Sequence, residues 1–233
     1  MAKDTAVTIE SAARLHARAT RPNLFIKVPG SPEGIAVIEA IFAGVPTDVT
    51  LLFSRAHNVA AAEAYLRGIE RRIAAGLDPK IGSVASLFVS RWDAAIKDTI
   101  PARLRNRLGI AVAMQVYQAY RELLGSPRWQ ALVAAGARAQ RLLWASTGTK
   151  DPAVRHALYI EALAAPDTIS TIPEKALFAF ADHGEVRQAL PLDGGDAEAV
   201  LAECRRAGID DAAMAGRLQR EGADGGTAAL GGG

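Results

Sequence analysis

Asn23-Leu24-Phe25-Ile26-Lys27-Val28-Pro29 is a hydrophobic run with one lysine at its carboxyl end, and it feeds into a Gly/Pro turn and a helical pattern. Apolar residues bounded by Pro and Gly over so short a span predict a strand, here Leu24 to Val28. Ser31-Pro32-Glu33-Gly34 then opens a helix whose apolar positions Ile35, Ile38, Ile41 and Phe42 share one face. A strand followed at once by an amphipathic helix is one β/α unit. The lysine carries a second message. Burial of an ammonium is costly and is relieved by loss of the proton, which leaves the neutral amine that attacks a ketone. At a sheet edge the same lysine reaches water and protects the edge from pairing. Both readings stand on this stretch alone.

The unit repeats along the chain. Asp48-Val49-Thr50-Leu51-Leu52-Phe53 predicts a second strand, and Ser54 starts a helix to about Ala75 that Gly76 ends. Val84 to Val89 predicts a third strand, followed by helical Arg91 to Ile100 and a long helix from Pro101 to Leu124. Trp129 to Ala135 is a shorter helix before a fourth strand, Arg141 to Ala145, and a helix from Ala153 to Ala164. Thr168 to Ile172 is a fifth strand, Pro173-Glu174-Lys175 begins a helix to His183, and Asp196 to Arg220 supplies one or two more. An opening helix, from Asp4 to about Ala19, precedes them all. Strands alternating with helices in this way predict a parallel sheet, and a (β/α) barrel is its natural closed form.

The 233 residues, half of them hydrophobic, suffice for one α/β domain with a sizeable core. A net charge of +2 from nearly balanced acids and bases points away from a nucleic-acid groove. Cys204 is the only cysteine, which excludes an intrachain disulfide and suits a reducing compartment. With no apolar run of transmembrane length and no signal-peptide core, the expectation is a cytoplasmic protein without a membrane partner. His16, His57, His156 and His183 are scattered without metal-ligand spacing, so no metal is expected. No Gly-x-Ser-x-Gly elbow, dinucleotide fingerprint or Walker loop occurs.

Side chains alternate along a strand, so Phe25 and Lys27 share a face, as do Asp48, Thr50 and Leu52 on the next strand and Val84, Ser86 and Phe88 on the third. If the wholly apolar faces pack on helices, then Lys27, Asp48 and Thr50 point into a barrel near its carboxyl end, where barrel enzymes hold their sites. Thr50 and Ser86 also read as small polar filling between strands. Arg91, just past a strand end, suits bidentate binding of a phosphate, and Ser146, Gly148 and Lys150 form an analogous turn one unit later. The plainer readings are a solvated turn for Arg91 with Asp93 and a helix-end pair for Lys150 with Asp151.

Taken together, five segments resemble the transaldolase family in order and spacing from about Asp4 to Gly222. They are Arg21 to Pro29, Asp48 to Ser54, Ser83 to Arg91, Leu143-Trp144-Ala145-Ser146-Thr147-Gly148-Thr149-Lys150, and Pro173-Glu174-Lys175. The resemblance implies an α/β fold of (β/α)8 TIM-barrel type, incomplete, with about five of eight β/α units. Residues 1–221 form this partial barrel domain, and Gly-rich 222–233 read as a flexible tail. It implies Lys27 as the Schiff-base lysine and Asp48, Thr50 and Ser86 as pocket residues. Phe88 is implied as part of the pocket wall, Arg91 as the sugar-phosphate ligand, and Ser146 and Lys150 as its phosphate-side turn. The implied reaction is transfer of a dihydroxyacetone unit from a ketose phosphate, such as sedoheptulose 7-phosphate or fructose 6-phosphate, to an aldose phosphate in the pentose phosphate pathway. No cofactor is required, because the iminium is the electron sink.

Two departures shape the expectations. Asp48 stands where the family usually has Asn, and an acid facing Lys27 is expected to stabilise its ammonium and slow attack. The family's first three strands supply an Asp, an Asn and a Glu beside the lysine, and only five strands are legible here. An open sheet with two unpaired edges invites self-association or a fusion partner, the latter in keeping with the Gly-rich tail. Some transaldolases are joined to a glucose 6-phosphate isomerase. The alternative is a catalytically inactive sugar-phosphate-binding or interaction remnant. A third reading is a compact fructose 6-phosphate aldolase of the same superfamily.

Overall fold

Five strands and ten helices alternate through the described residues. Helix α1 (Thr5–Ala17) precedes β1 (Ile26–Pro29), α2 (Ile35–Phe42), β2 (Thr47–Leu52), α3 (Arg55–Ala74), β3 (Ser83–Phe88) and α4 (Ser90–Ile96). Then come α5 (Leu108–Gly125), α6 (Pro127–Ala134), β4 (Gln140–Ala145), α7 (Leu158–Ala162), β5 (Thr168–Ser170), α8 (Glu174–His183), α9 (Ala197–Arg206) and α10 (Asp211–Leu230). The computed structural model describes residues 5–19, 21, 23–30, 35–149, 151 and 153–230, with the side chains of 5, 6, 8, 35 and 225–230 left aside.

The strands form one parallel sheet in the order β1-β2-β3-β4-β5, each beside its neighbour in sequence. A doubly wound sheet reverses its strand order at a switch point, whereas a barrel wall does not. Five strands in unbroken order are therefore an open arc of (β/α)8 barrel type. β1 and β5 are its edges among the described residues.

One face of this sheet is apolar because alternate strand residues are. Val28, Val49, Leu52, Ala85, Leu87, Leu142 and Trp144 share one buried core with helix residues such as Ile41, Tyr65, Ile69 and Val116. Burying a side chain of this size contributes about 1.5 to 3 kcal/mol, so this face sets the register. Beneath the helices at the amino ends of the strands lies a buried polar chain. Gln140 Nε2 donates to Ser83 Oγ at 2.9 Å, and Ser83 Oγ lies 3.0 Å from Thr47 Oγ1. The opposite face of the sheet carries Lys27, Asp48, Ser86 and Phe88.

Local chemistry accounts for the element ends. Ser54 Oγ accepts the His57 N–H at 3.1 Å and so caps α3, while Gly76, with φ of +68°, follows its last turn. Gly68 lies inside α3 because α2 crosses there: a Cβ would stand 2.7 Å from Ile41 Cβ. In β2 the pairing slips between Val49 and Leu52, and Leu51 takes φ of +61°. This is a bulge at the carboxyl end of the strand, a common device beside sites.

The long helix expected from Pro101 begins instead at Leu108, after a short 3-10 turn at Ala102–Leu104 and Asn106 at φ of +59°. Asp93 is the reason: its carboxylate accepts the Leu108 N–H at 3.1 Å and the Gly109 N–H at 3.4 Å, capping α5 from another helix. The helix expected over 153–164 shortens to α7. Asp151 takes the Ala153 N–H at 2.9 Å, a local turn that competes with helix initiation. Helix α10 runs to Leu230 and so takes in most of the stretch that composition assigns to a flexible tail.

Candidate active site

The parallel register puts Lys27 directly beside Asp48, and Asp48 beside Val84, two residues before Ser86. Lys27 Nζ lies 3.4 Å from Asp48 Oδ2, and Ser86 Oγ donates to Asp48 Oδ1 at 2.6 Å. Three side chains on three successive strands thus form one polar line across the inner face, an ion pair followed by a hydrogen bond. The line is graded in burial. Ser86 is 1% exposed, the Asp48 side chain 18% and the Lys27 side chain 62%. Of the three, the lysine is the most open to water and the serine the least. Ser86 is more than filling, since it fixes one oxygen of the carboxylate whose other oxygen faces the amine.

Thr50, two residues beyond Asp48, is buried, and its hydroxyl has no hydrogen-bond partner. An unsatisfied buried hydroxyl costs about 1 to 3 kcal/mol. Phe88 ends β3 and stacks on Phe53 with ring centroids 5.3 Å apart. The Arg91 guanidinium lies over the Phe88 ring, 4.8 Å from its centroid, which orients a planar donor fork at the carboxyl end of the sheet. Trp92 anchors the same turn by donating its indole N–H to the Phe53 carbonyl at 3.0 Å.

Ser146 joins this end of the sheet through a residue that sequence reasoning passed over. Ser90 and Ser146 meet hydroxyl to hydroxyl at 2.9 Å, and the Ser90 N–H donates to the Ser146 carbonyl at 2.9 Å. Ser146 adopts φ of +55°, so the turn after β4 is tied back to the start of α4, next to Arg91. Lys150 lies outside the described residues. Asp93 does not form the solvated turn with Arg91 that its position suggested. It is 4% exposed, accepts the Tyr159 hydroxyl at 2.8 Å, and burial pushes its carboxyl up to about 6 against its three hydrogen bonds.

A second unforeseen residue comes from the far end of the chain. Gln219, in α10, donates its amide to the Leu51 carbonyl at 2.9 Å and to the Gly30 carbonyl at 3.3 Å. No local signal could have shown this, since the partners lie 168 and 189 residues away. Among the described residues no helix is long and apolar enough to cross a membrane.

A sequentially ordered parallel sheet, with a lysine, a carboxylate and hydroxyls gathered on its inner face, defines a β/α protein of barrel type. The chain belongs to the transaldolase/fructose-6-phosphate aldolase family, whose family model matches residues 1–230. It is 43% identical over 224 residues to a transaldolase of Neisseria gonorrhoeae, and the match covers 95% of this chain and 64% of that protein. A transaldolase of Thiobacillus denitrificans is 43% identical over 231 residues, with the same coverage of 95% and 64%. For transaldolase 1 of Streptomyces coelicolor the identity is 43% over 232 residues, covering 95% of this chain and 61% of the relative. The chain thus spans somewhat under two thirds of the length of these curated relatives.

Proposed function

We propose that the chain carries transaldolase chemistry: transfer of a dihydroxyacetone unit from a ketose phosphate to an aldose phosphate through a Schiff base on Lys27, within the cytoplasmic pentose phosphate pathway. The observation that carries this reading is the line Lys27–Asp48–Ser86, with its 3.4 Å and 2.6 Å contacts across the inner face of adjacent strands. Sedoheptulose 7-phosphate and fructose 6-phosphate are the proposed donors.

In this reading the neutral Lys27 amine attacks the ketone carbon. Asp48 Oδ2 is the group within reach of the proton that the amine must lose and that the departing hydroxyl must gain. Loss of water leaves an iminium. Removal of the proton from the adjacent carbinol breaks the carbon-carbon bond, and its electron pair moves into the iminium to give an enamine while an aldose phosphate departs. The enamine carbon then attacks the acceptor aldehyde, whose oxygen takes a proton. Hydrolysis frees Lys27. Arg91, held over Phe88, and Ser146 are the proposed receivers of the phosphate.

One observation favours a second reading, a sugar-phosphate-binding protein without turnover. Lys27 Nζ lies 3.4 Å from Asp48 Oδ2, an ion pair that engages the amine the reaction would need free. Incubation with fructose 6-phosphate, borohydride reduction and peptide mapping separates the two. A stable mass addition on Lys27 that disappears in Lys27→Met supports the Schiff-base reading. Saturable binding of the sugar phosphate with no addition selects the second.

A further inference from the structure

Helix α10 approaches the carboxyl ends of β1 and β2 more closely than ordinary packing requires, and it does so through two residues one turn apart. Ala215 and Leu218 bury themselves in the main core and anchor the first half of the helix. Gln219 then spans two strands with one amide group, donating to Leu51 O in the β2 bulge and to Gly30 O just past β1. The Leu51 carbonyl sits where the β2–β3 register slips, and its residue holds φ of +61°. Gly30 in turn donates its N–H to the Thr50 carbonyl at 2.8 Å, so the amide closes a small ring of backbone groups around Thr50.

Gly222 lies three residues on, on the same side of the helix. A Cβ there would stand 2.7 Å from Leu51 Cδ2 and 3.2 Å from Arg91 Nη1. A methyl at this position would have to displace the ends of both side chains. The helix backbone rests against the leucine of the bulge and against the guanidinium that stacks on Phe88.

We propose that α10 is a wall of the site, with Gln219 as a positioning residue that holds the bulge, and with it Thr50 beside Asp48, and with Gly222 as the contact that sets where the Arg91 guanidinium lies. This rests on the proposed sugar-phosphate chemistry for its consequence. In that chemistry Arg91 receives the phosphate, and α10 sets where its guanidinium lies. Arg91 thus neighbours both the Phe88 ring and the backbone of α10 at Gly222.

The test uses the full chain as wild type, Gln219→Leu and Gly222→Ala. Hydrogen exchange read by mass spectrometry is expected to speed up about tenfold at Gly30 and 51–53 in Gln219→Leu, with Ser83–Phe88 and Gln140–Ala145 unchanged. Borohydride trapping on Lys27 is then run with fructose 6-phosphate and with dihydroxyacetone, the ketone fragment that has no phosphate. Gly222→Ala is expected to lower the preference for the phosphorylated ketone about tenfold. Exchange that is unaltered, or faster everywhere alike, overturns the role of Gln219, and an unaltered preference overturns that of Gly222. A wild type that traps neither ketone sinks the Schiff-base reading instead. Exchange in the two variants then decides on α10 alone: Gly222→Ala must also loosen 51–53, or the wall is refuted.

Discussion

Replacing Asp93 by asparagine is expected to make the protein more stable above pH 6 and to leave it unchanged near pH 4. The carboxyl is 4% exposed, and desolvation outweighs the bonds from Tyr159, Gly109 and Leu108, so its folded value rises from 3.8 to about 6. Between those values the folded protein holds a proton that the unfolded chain has released. The contribution of Asp93 to stability is therefore fully present below the unfolded value, falls as pH rises through the folded one, and is level beyond it. A separation of about two pH units at about 1.4 kcal/mol each amounts to roughly 3 kcal/mol. Asparagine is neutral throughout and keeps an acceptor oxygen for the Leu108 and Gly109 N–H groups, while the Tyr159 hydroxyl turns to accept. Allowing for that reversal, the gain at pH 8 is about 1 to 3 kcal/mol. Urea titrations followed by circular dichroism at half-unit steps from pH 4 to 8 measure it as the difference between variant and wild type. A difference that stays constant across this range would show that Asp93 is ionised alike in both states, and the argument from burial would fail.

Tyr159→Phe removes the 2.8 Å donor to the same carboxylate. Its cost is expected to be about 2 kcal/mol at pH 8, where the acceptor is charged, and about 1 kcal/mol at pH 5, in the same titrations. Ser86→Ala releases Asp48 Oδ1 from its 2.6 Å bond, and a lost contact of about 1 kcal/mol corresponds to a roughly five-fold slower trapping rate on Lys27. Quenched time points with fructose 6-phosphate read this rate, and an undiminished rate would leave Ser86 as filling. Gly68→Ala drives a methyl to 2.7 Å from Ile41, and the overpacking of about 1 to 3 kcal/mol should outweigh alanine's helix preference of about 1 kcal/mol. A rise in thermal midpoint would mean that α2 shifts away without loss.

The repeated units were legible because each is a local pattern. Strand alternation, the Ser54 cap and the Gly76 stop are written within a few residues of where they act, and the structure follows them within a residue or two. Grouping Lys27, Asp48 and Ser86 on one face needed only strand periodicity and the parallel order. Where the reading slipped, a distant group had intervened. Asp93 delays the start of α5 by capping it from α4, and the carbonyl of the bulge at Leu51 accepts from Gln219 of α10.

By itself, then, the sequence determined the alternation of elements, the single apolar face that makes the sheet pack, and the family to which the chain belongs. Period and spacing are properties of neighbours along the chain. Only the tertiary structure decided that Ser86 fixes the carboxylate facing Lys27, that Ser90 ties Ser146 to the start of α4, and that Gln219 and Gly222 meet the bulge at Leu51. Those facts depend on which groups the packing of the whole chain brings within hydrogen-bond reach across 38 to 189 residues, and no local window contains them.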